Sequence, residues 1–528
     1  MNSTEAPTRL LVALLVLGVA ATLLLARLGR YALWDDEAIT ALTAKGVWQT
    51  GDTSAVIGQN ILAYRNGLLI RDMKDRATPP LQFYAAAPFL GVIGDTALAA
   101  RLPFALCGLG CIALLLWWLH RDRAPLVAWI LMSLGILGNV SLLLFSRQCR
   151  YYALAMLLSV AVAYTYLHVR TRRGLIVHAI LSILLLAANY LTFAAVSAMI
   201  AIDYAIWGRK RHALRGLDWA ILIVPQVLIG GIIVWIWNPL RIAEPRAEGF
   251  SWIKWHATLL WWNLRDIDTC EFGVGALLLA APIVAIFTRS VPLVRAMIAL
   301  LIGILMISIT SPQNPSNTRV ADVRYLSFLI PLCIAIGVLT ILPLARLSRI
   351  AAIGLACIAF GSNLLHFNWL SDEVRLRSTP YLYARELARP LPEPFTPVAQ
   401  WIRGNVKSGE SVLVVPEHMM YPLMFHAPNA VYAWQLREPP PGQLAHVPPI
   451  HVALRSAADY VILFGTHPRL IHRVPFECAH VESIPTPGRD FYRPELFWRR
   501  FEPIEQFDPV EQGIHIYKRV PPDSGFRL

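Results

Sequence analysis

Three consecutive carboxylates, Asp35, Asp36 and Glu37, stand in the stretch "YALWDDEAIT", just after the first long apolar run of the chain. A carboxylate held beside a hydroxyl can take its proton as a general base. The bland alternative is a solvated helix start, since acidic side chains in a first turn are favoured by the helix dipole. Cations decide what such a base would serve. Lys74, Arg76, Arg101, Arg147, Arg150, Arg241, Lys254, Arg265, Arg319 and Arg324 recur near the ends of the apolar runs. Guanidinium and ammonium groups grip phosphate oxygens and stabilise the charge that builds on a departing phosphate. Acids and cations on one side of a membrane would suit attack by an acceptor hydroxyl on a phosphate-activated group.

The elements that must position these residues are membrane helices. Of 528 residues, 56% are hydrophobic and 15% charged, and the mean hydropathy is +0.51. Soluble domains carry about 25% charged residues. Apolar runs long enough to cross a bilayer recur at 9–29, 97–119, 125–145, 151–169, 174–190, 191–208, 218–237, 273–288, 292–310, 325–343 and 349–368. Residues 9–29 resemble a signal peptide but lack a small-residue cleavage site, so they read as a retained helix. Asn189 marks a turn between the fifth and sixth runs.

Basic clusters occupy alternate connections: "HRDR" at 120–123, "RTRR" at 170–173, "GRKRHALR" at 208–215, Arg289 with Arg295, and Arg346 with Arg349. The positive-inside rule makes those cytoplasmic. The outer side then holds 30–96, 238–272, 311–324 and everything after about 369, which includes the acidic triplet. Within the first outer loop, "PPLQFYAAAPFLGVIG" at 79–94 is apolar but short, and reads as an interfacial or dipping segment. The Trp-rich "FSWIKWHATLLWWNLRD" at 250–266 reads as an interfacial amphipathic helix. Residues 371–528 hold 22 of the 37 prolines, which excludes a continued helical bundle. There, 396–406 reads as an amphipathic helix and 411–417, 458–465 and 513–520 as strands; "REPPPGQLAHVPP" at 437–449 is proline-rich.

Other classes fall away on the same residues. The net charge of +13 is dispersed as topology signals rather than gathered in a patch, so nucleic acid is not a partner. Cys107, Cys111, Cys333 and Cys357 lie inside apolar runs, and Cys149, Cys270 and Cys478 have no metal-ligand spacing. An ion relay needs carboxylates near the bilayer midplane. Asp203 sits close enough to "GRKRH" to snorkel to the cytoplasmic side, and His178 lies near the start of its run. The polar weight is on the outer face. A nucleotide sugar is made in the cytoplasm, so a lipid-linked phospho-sugar is the donor that fits.

Five segments in order then resemble a known class: "WDDEA", "TPPLQFYAAAPFLGVIG" with "ARLPFALCGLGCIALLLWWL", "SRQCRYYALAMLLSVAVAYTYL" and "VRYLSFLIPLCIAIGV". Together they span roughly residues 10 to 345 and resemble GT-C integral-membrane glycosyltransferases. The likeness is specifically to the bacterial family 39-like relatives of protein O-mannosyltransferases and of the lipid A aminoarabinose transferase. The resemblance implies a polytopic α-helical membrane protein of about 11–13 transmembrane helices. Residues 1–370 would form the GT-C-like catalytic domain, with long outer loops 30–96 and 238–272. Residues 371–528 would form a small C-terminal periplasmic α/β domain.

The same resemblance implies a polyprenyl-phosphate sugar donor in the bacterial inner membrane and a lipid, glycan or protein hydroxyl as acceptor. The family's general base falls on Asp36, with Asp35 one residue of register away, and Glu37 would orient the base or the acceptor. Arg150 and Arg324 would bind the donor phosphate, with Lys74 and Arg76 as further contacts and Tyr152 and Tyr325 lining the substrate groove. Where relatives carry an acid two residues before the first arginine, this chain has Gln148, and in place of a His-Tyr pair it has Asn189-Tyr190. Neighbouring carboxylates can hold Mg²⁺ or Mn²⁺, but two cations can neutralise the leaving phosphate without a metal, so no metal or other cofactor is expected. The rival readings are a transporter or flippase of a lipid-linked saccharide with no covalent step, and an assembly protein whose α/β domain recruits partners.

Overall fold

Each apolar run of the sequence contains a helix in the computed structural model, which describes residues 5–63, 70–209, 214–238, 240, 251–270, 273–315, 322–365, 378–433, 457–464, 474, 476–485 and 513–520. Arg241, Arg319 and the proline-rich stretch 437–449 lie outside the described residues. The helices are α1 (Glu5–Leu25), α2 (Asp35–Thr50), α3 (Leu81–Ile93), α4 (Ala97–Arg121), α5 (Leu126–Gly138), α6 (Val140–Ser146), α7 (Tyr152–His168), α8 (Arg172–Ala188) and α9 (Tyr190–Asp203). They continue as α10 (Gly216–Ile236), α11 (Trp252–Cys270), α12 (Val274–Thr288), α13 (Val291–Thr310), α14 (Ile330–Leu347), α15 (Arg349–Leu365), α16 (Thr379–Ala388), α17 (Phe395–Asn405) and α18 (Met420–His426). By length and composition six helices among the described residues can cross a membrane, or seven if the bent α5–α6 pair is one span. Four further apolar helices are shorter.

The chain divides into two compact units, and the division does not fall at residue 370. The first comprises residues 1–26, 104–239 and 243–388; the second comprises 27–103, 240–242 and 389–528.

The first unit is the helical one. Its breaks are made by side chains that offer the backbone a better partner than the next turn. Asn139 ends α5 and caps α6, its Oδ1 accepting from Leu142 N at 2.7 Å, and the two helices meet at 61°. Asn189 does the same between α8 and α9, accepting from Thr192 N at 2.8 Å, as the sequence reading of a turn there expects. Arg147 caps the end of α1, donating to the carbonyls of Leu23, Leu24 and Ala26 at 2.7–3.1 Å. Asp203 does not need to reach the aqueous phase by snorkelling. Its carboxylate takes both Arg295 Nε and Nη2 at 2.7 Å and the Tyr166 hydroxyl at 2.7 Å, joining α9, α13 and α7. His178 Nδ1 lies 2.9 Å from Thr165 Oγ1.

The second unit combines the segment after α1 with the C-terminal region. Two hairpins, β1 (Val56–Ile57) with β2 (Asn60–Ile61) and β3 (Ile70–Arg71) with β4 (Lys74–Asp75), follow α2. Asp72 and Met73 both take positive φ, 53° and 57°, as the two central residues of a tight hairpin turn must. Helices α2 and α3 pack so closely that a Cβ at Gly91 would lie 2.0 Å from the Trp48 ring, so only glycine fits. The C-terminal sheet holds β5 (Ser411–Val415), β6 (Val431–Tyr432), β7 (Tyr460–Phe464), β8 (Cys478–Ile484) and β9 (Ile514–Arg519), in the order β6-β5-β7-β9-β8. Strands β6, β5 and β7 run parallel, and β9 is antiparallel to both β7 and β8. One face is covered by α17, whose amphipathic spacing buries Phe395, Val398, Ala399, Trp401 and Ile402. Phe395 meets Phe464, Trp401 meets Tyr460 edge-on, and Trp401 Nε1 donates to Glu482 at 2.7 Å.

Candidate active site

The acidic triplet forms the first turn of α2, with Asp35 and Asp36 half-buried and Glu37 fully buried. The dipole argument for such a turn therefore applies to all three. Glu37 has a more specific partner. Arg101 Nε donates to its Oε1 at 2.8 Å and Arg101 Nη2 to its Oε2 at 2.5 Å, a bidentate pair inside the unit. The remaining Arg101 donors reach the carbonyls of Leu28 (3.1 Å), Tyr31 (2.9 Å) and Ala32 (2.9 Å). Glu37 Oε2 also accepts from Trp34 N at 3.4 Å, closing the start of the helix. One guanidinium and one carboxylate thus tie the carbonyls of residues 28, 31 and 32 to the first turn of α2. At the helix end, Gly51 adopts φ 77° and its N–H reaches Val47 O.

Asp36 stands in this turn, and its own backbone N–H donates to Asp35 Oδ1 at 2.7 Å. Thr40 Oγ1 donates to the Asp36 carbonyl at 3.1 Å. Asp35 Oδ1 thus rests on the backbone of the turn.

Lys74 and Arg76 belong to the same unit but converge on a residue the sequence reading did not single out. Lys74 Nζ lies 2.7 Å from Asp52 Oδ2, and Arg76 takes both Asp52 oxygens at 2.8 and 2.7 Å. The Arg76 hydrogen bond, with help from Lys74 and the Thr53 N–H, holds the Asp52 carboxyl well below the usual range. These two cations clamp the hairpin of β3 and β4 against the end of α2. No local signal marks Asp52, because its partners stand 22 and 24 residues on.

Arg150, Tyr152, Arg324 and Tyr325 gather in the first unit. Arg150 and Tyr151 immediately precede α7, and Arg324 and Tyr325 sit in the 3₁₀ segment Val323–Leu329 that leads into α14 and packs against α7. The Arg150 guanidinium lies 5.8 Å from the centre of the Tyr151 ring and that of Arg324 lies 5.5 Å from Tyr325. Tyr151 and Tyr152 meet edge-on at 4.6 Å, and Phe145 backs Tyr152 at 5.0 Å. Both arginines and the side chains of Tyr152 and Tyr325 lie near enough to Tyr151 to bear on it electrostatically. Arg324 Nε also donates to Asp322 at 2.6 Å. Two cations near one tyrosine cluster can hold an anionic ester oxygen by charge-assisted hydrogen bonds.

Two further cations of the sequence have structural partners. Arg147 caps α1, and Arg265 pairs with its neighbour Asp266 at 2.6 Å. The Trp-rich segment is helical as α11, with Trp255, Leu259, Asn263, Asp266 and Ile267 buried against α13 and the 3₁₀ segment. Asn263 Nδ2 donates to Ser308 Oγ at 2.9 Å and His256 Nδ1 to Ser308 O at 2.9 Å. At its end Asp268 accepts from Gly275 N at 2.6 Å, while burial pushes its carboxyl up to about 6. Its Oδ2 has no hydrogen-bond partner among the described residues. Among the described residues no group of three His, Cys, Asp or Glu side chains is placed to hold a metal ion.

No protein-family model matches the chain, and no curated protein matches it in sequence. Solved structures do match in fold. Two crystal structures of ArnT from Cupriavidus metallidurans superpose with a TM-score of 0.55 each. The apo structure is 14% identical, with 91% of this chain and 97% of that one covered. The structure bound to undecaprenyl phosphate is 13% identical, with 98% of each chain covered. The architecture is therefore GT-C-like and ArnT-like over nearly its whole length, as the order of the five sequence segments implied.

Proposed function

We propose that this chain is a glycosyltransferase that moves a sugar from a polyprenyl-phosphate carrier to a hydroxyl acceptor on the periplasmic face of the bacterial inner membrane. The acceptor oxygen attacks the anomeric carbon on the side opposite the phosphate, and the bond from that carbon to the phosphate oxygen breaks. One displacement inverts the configuration. Asp36 takes the acceptor proton. Glu37 orients that base through Arg101 rather than by touching the acceptor. Arg150 and Arg324 stabilise the negative charge that remains on the polyprenyl phosphate, with Tyr152 and Tyr325 beside it. Lys74 and Arg76 act on the donor only through the Asp52 clamp. On this reading no metal is required, with Arg150 and the Arg324 guanidinium, which Asp322 holds in place, facing the leaving phosphate.

The observation that carries this reading is the gathering of Arg150 and Arg324 around Tyr151. It is joined by a fold similar to a transferase-type structure that was solved with undecaprenyl phosphate. The outer-face assignment rests on the basic clusters that occupy alternate connections. The test is product analysis with the purified protein and a labelled polyprenyl-phosphate sugar. Wild type should release polyprenyl phosphate and form a new glycoside, and Asp36→Asn should lose at least about 10²-fold in turnover. An intact donor in the wild-type reaction, or near-normal turnover by Asp36→Asn at equal protein level, would refute it.

A further inference from the structure

The backbone that leads into the acidic turn is gripped by a residue almost four hundred positions away. Leu33 N donates to His426 Nε2 at 2.9 Å, across 393 residues of sequence. Leu33 lies two residues before α2, and His426 is the last residue of α18, which packs against α2. A second clasp lies beside it. Asn60 is 2% exposed, and its side-chain amide accepts from Tyr432 N at 2.8 Å and donates to the Ala430 carbonyl at 3.1 Å. The amide thus pairs with β6, the last strand at one side of the sheet. A third contact runs from Leu391 N to the Tyr31 hydroxyl at 2.9 Å.

We infer that His426 is a positioning residue for Asp36, and that the C-terminal region is an integral part of the unit carrying the proposed base. The inference rests on the reading of Asp36 given above. Arg101 fixes the carbonyls of Leu28, Tyr31 and Ala32 and the carboxylate of Glu37. Those contacts hold the acceptor groups of the segment, whereas His426 holds a donor, the amide that sets the angle at which the chain enters α2. Losing it would let Leu33 and Trp34 rotate, and the first turn would carry Asp36 with it. A catalytic carboxylate displaced by even 1 Å loses much of its rate advantage.

The bond also defines the state of the ring. To accept from an amide, Nε2 must be unprotonated, so the imidazole is neutral with its proton on Nδ1. Burial, together with the charges of Arg101 and Arg403, pushes the His426 ring down to about 4. The other charged groups on the elements around it are Asp35, Asp36, Glu37 and Lys45 on α2, and Glu417 and His418 just before α18. Glu37 is already paired with Arg101 and so does not draw a proton onto the ring.

Two substitutions in the full-length protein separate positioning from bulk. His426→Gln keeps an oxygen that can accept from Leu33 N, and His426→Leu keeps volume without an acceptor. Hydrogen–deuterium exchange of the peptide covering residues 28–37 reads the clasp without any substrate. His426→Leu should raise exchange in that peptide by about tenfold and lower kcat by about tenfold with the donor KM unchanged, and His426→Gln should recover most of both. Equal exchange in wild type and His426→Leu, or a His426→Gln variant no better than His426→Leu, would overturn the inference. Should exchange respond as expected while Asp36→Asn keeps full turnover, the clasp stands and the Asp36 reading is the part that fails.

Discussion

Replacing Glu37 by Gln keeps the size of the side chain but removes the charge that faces Arg101. The pair is buried and bidentate, so the substitution leaves a guanidinium without its counter-charge in a place where water does not reach. Breaking one side of such a pair is worth about 3–5 kcal/mol of stability. For a unit of this size each kcal/mol moves the melting temperature by roughly 2–4 °C, so a fall of about 6–20 °C is expected. Arg101→Met should do at least as much harm, because the carbonyls of Leu28, Tyr31 and Ala32 lose their donors as well. Each acceptor stranded in the interior costs about 1–3 kcal/mol. The double variant Glu37→Gln with Arg101→Met buries no charge. It should therefore be more stable than the two single effects sum to, by about 2 kcal/mol. The assay is intrinsic tryptophan fluorescence during thermal unfolding in detergent, with Trp34 buried beside the pair as a local reporter. Turnover is measured in parallel well below the melting temperature. There Glu37→Gln should fall only a few-fold, against the much larger loss in Asp36→Asn. Unchanged melting in Glu37→Gln, strict additivity in the double variant, or a turnover loss equal to that of Asp36→Asn would each refute the assignment of Glu37 to structure.

Arg150→Ala and Arg324→Ala should each lower kcat/KM for the donor by about 10–100-fold, the worth of one charge-assisted hydrogen bond. Lys74→Ala should leave that parameter near the wild-type value and lower thermal stability instead, because its partner is Asp52. A donor-specific defect in Lys74→Ala would return it to the phosphate site. Asp268 gives a pH dependence of stability. Its folded carboxyl titrates near 6 against 3.8 unfolded, so the folded state keeps a proton that the unfolded chain gives up as pH rises between those values. The stability is full below the unfolded value and is lost as pH rises to about 6, a change on the order of 3 kcal/mol. Asp268→Asn can still accept from Gly275 N and should flatten this dependence, leaving the variant the more stable at pH 7. Parallel melting curves for wild type and variant from pH 4 to 7 would contradict it.

The membrane architecture is legible in the sequence because hydropathy is a local property. Every apolar run became helix, and Asn189 turned the chain where a short polar side chain offered a cap. The break at Asn139 follows the same capping rule, yet the apolar run 125–145 hides it, because one polar residue barely alters the average over a span. The strands at 411, 460 and 514 were readable from their apolar β-branched character. Partners of charge were not. Nothing near Glu37 announces Arg101, 64 residues on, and nothing near Leu33 announces His426. A list of cations read from the sequence does not show which are already engaged: Arg101 and Arg147 hold backbone carbonyls, Lys74 and Arg76 hold Asp52, and Arg324 holds Asp322. The nearness of Arg150 and Arg324 to tyrosine rings follows a pattern that is local, since each stands next to a tyrosine in the sequence.

The second unit is built from residues 27–103 and 389–528, and this has a consequence for biosynthesis. The ribosome finishes α2, both hairpins and α3 long before it makes α18 and β6. At about 5–20 residues per second, the interval between Pro103 and His426 is on the order of 15–60 s. Throughout it, the Leu33 amide and the Asn60 side chain await acceptors and donors that do not yet exist. The Glu37–Arg101 pair, by contrast, can close as soon as α4 begins. The early segment thus emerges with its internal lock available and its outer clasps open. A chain released before residue 432 would keep that form, a substrate for quality control rather than a smaller enzyme.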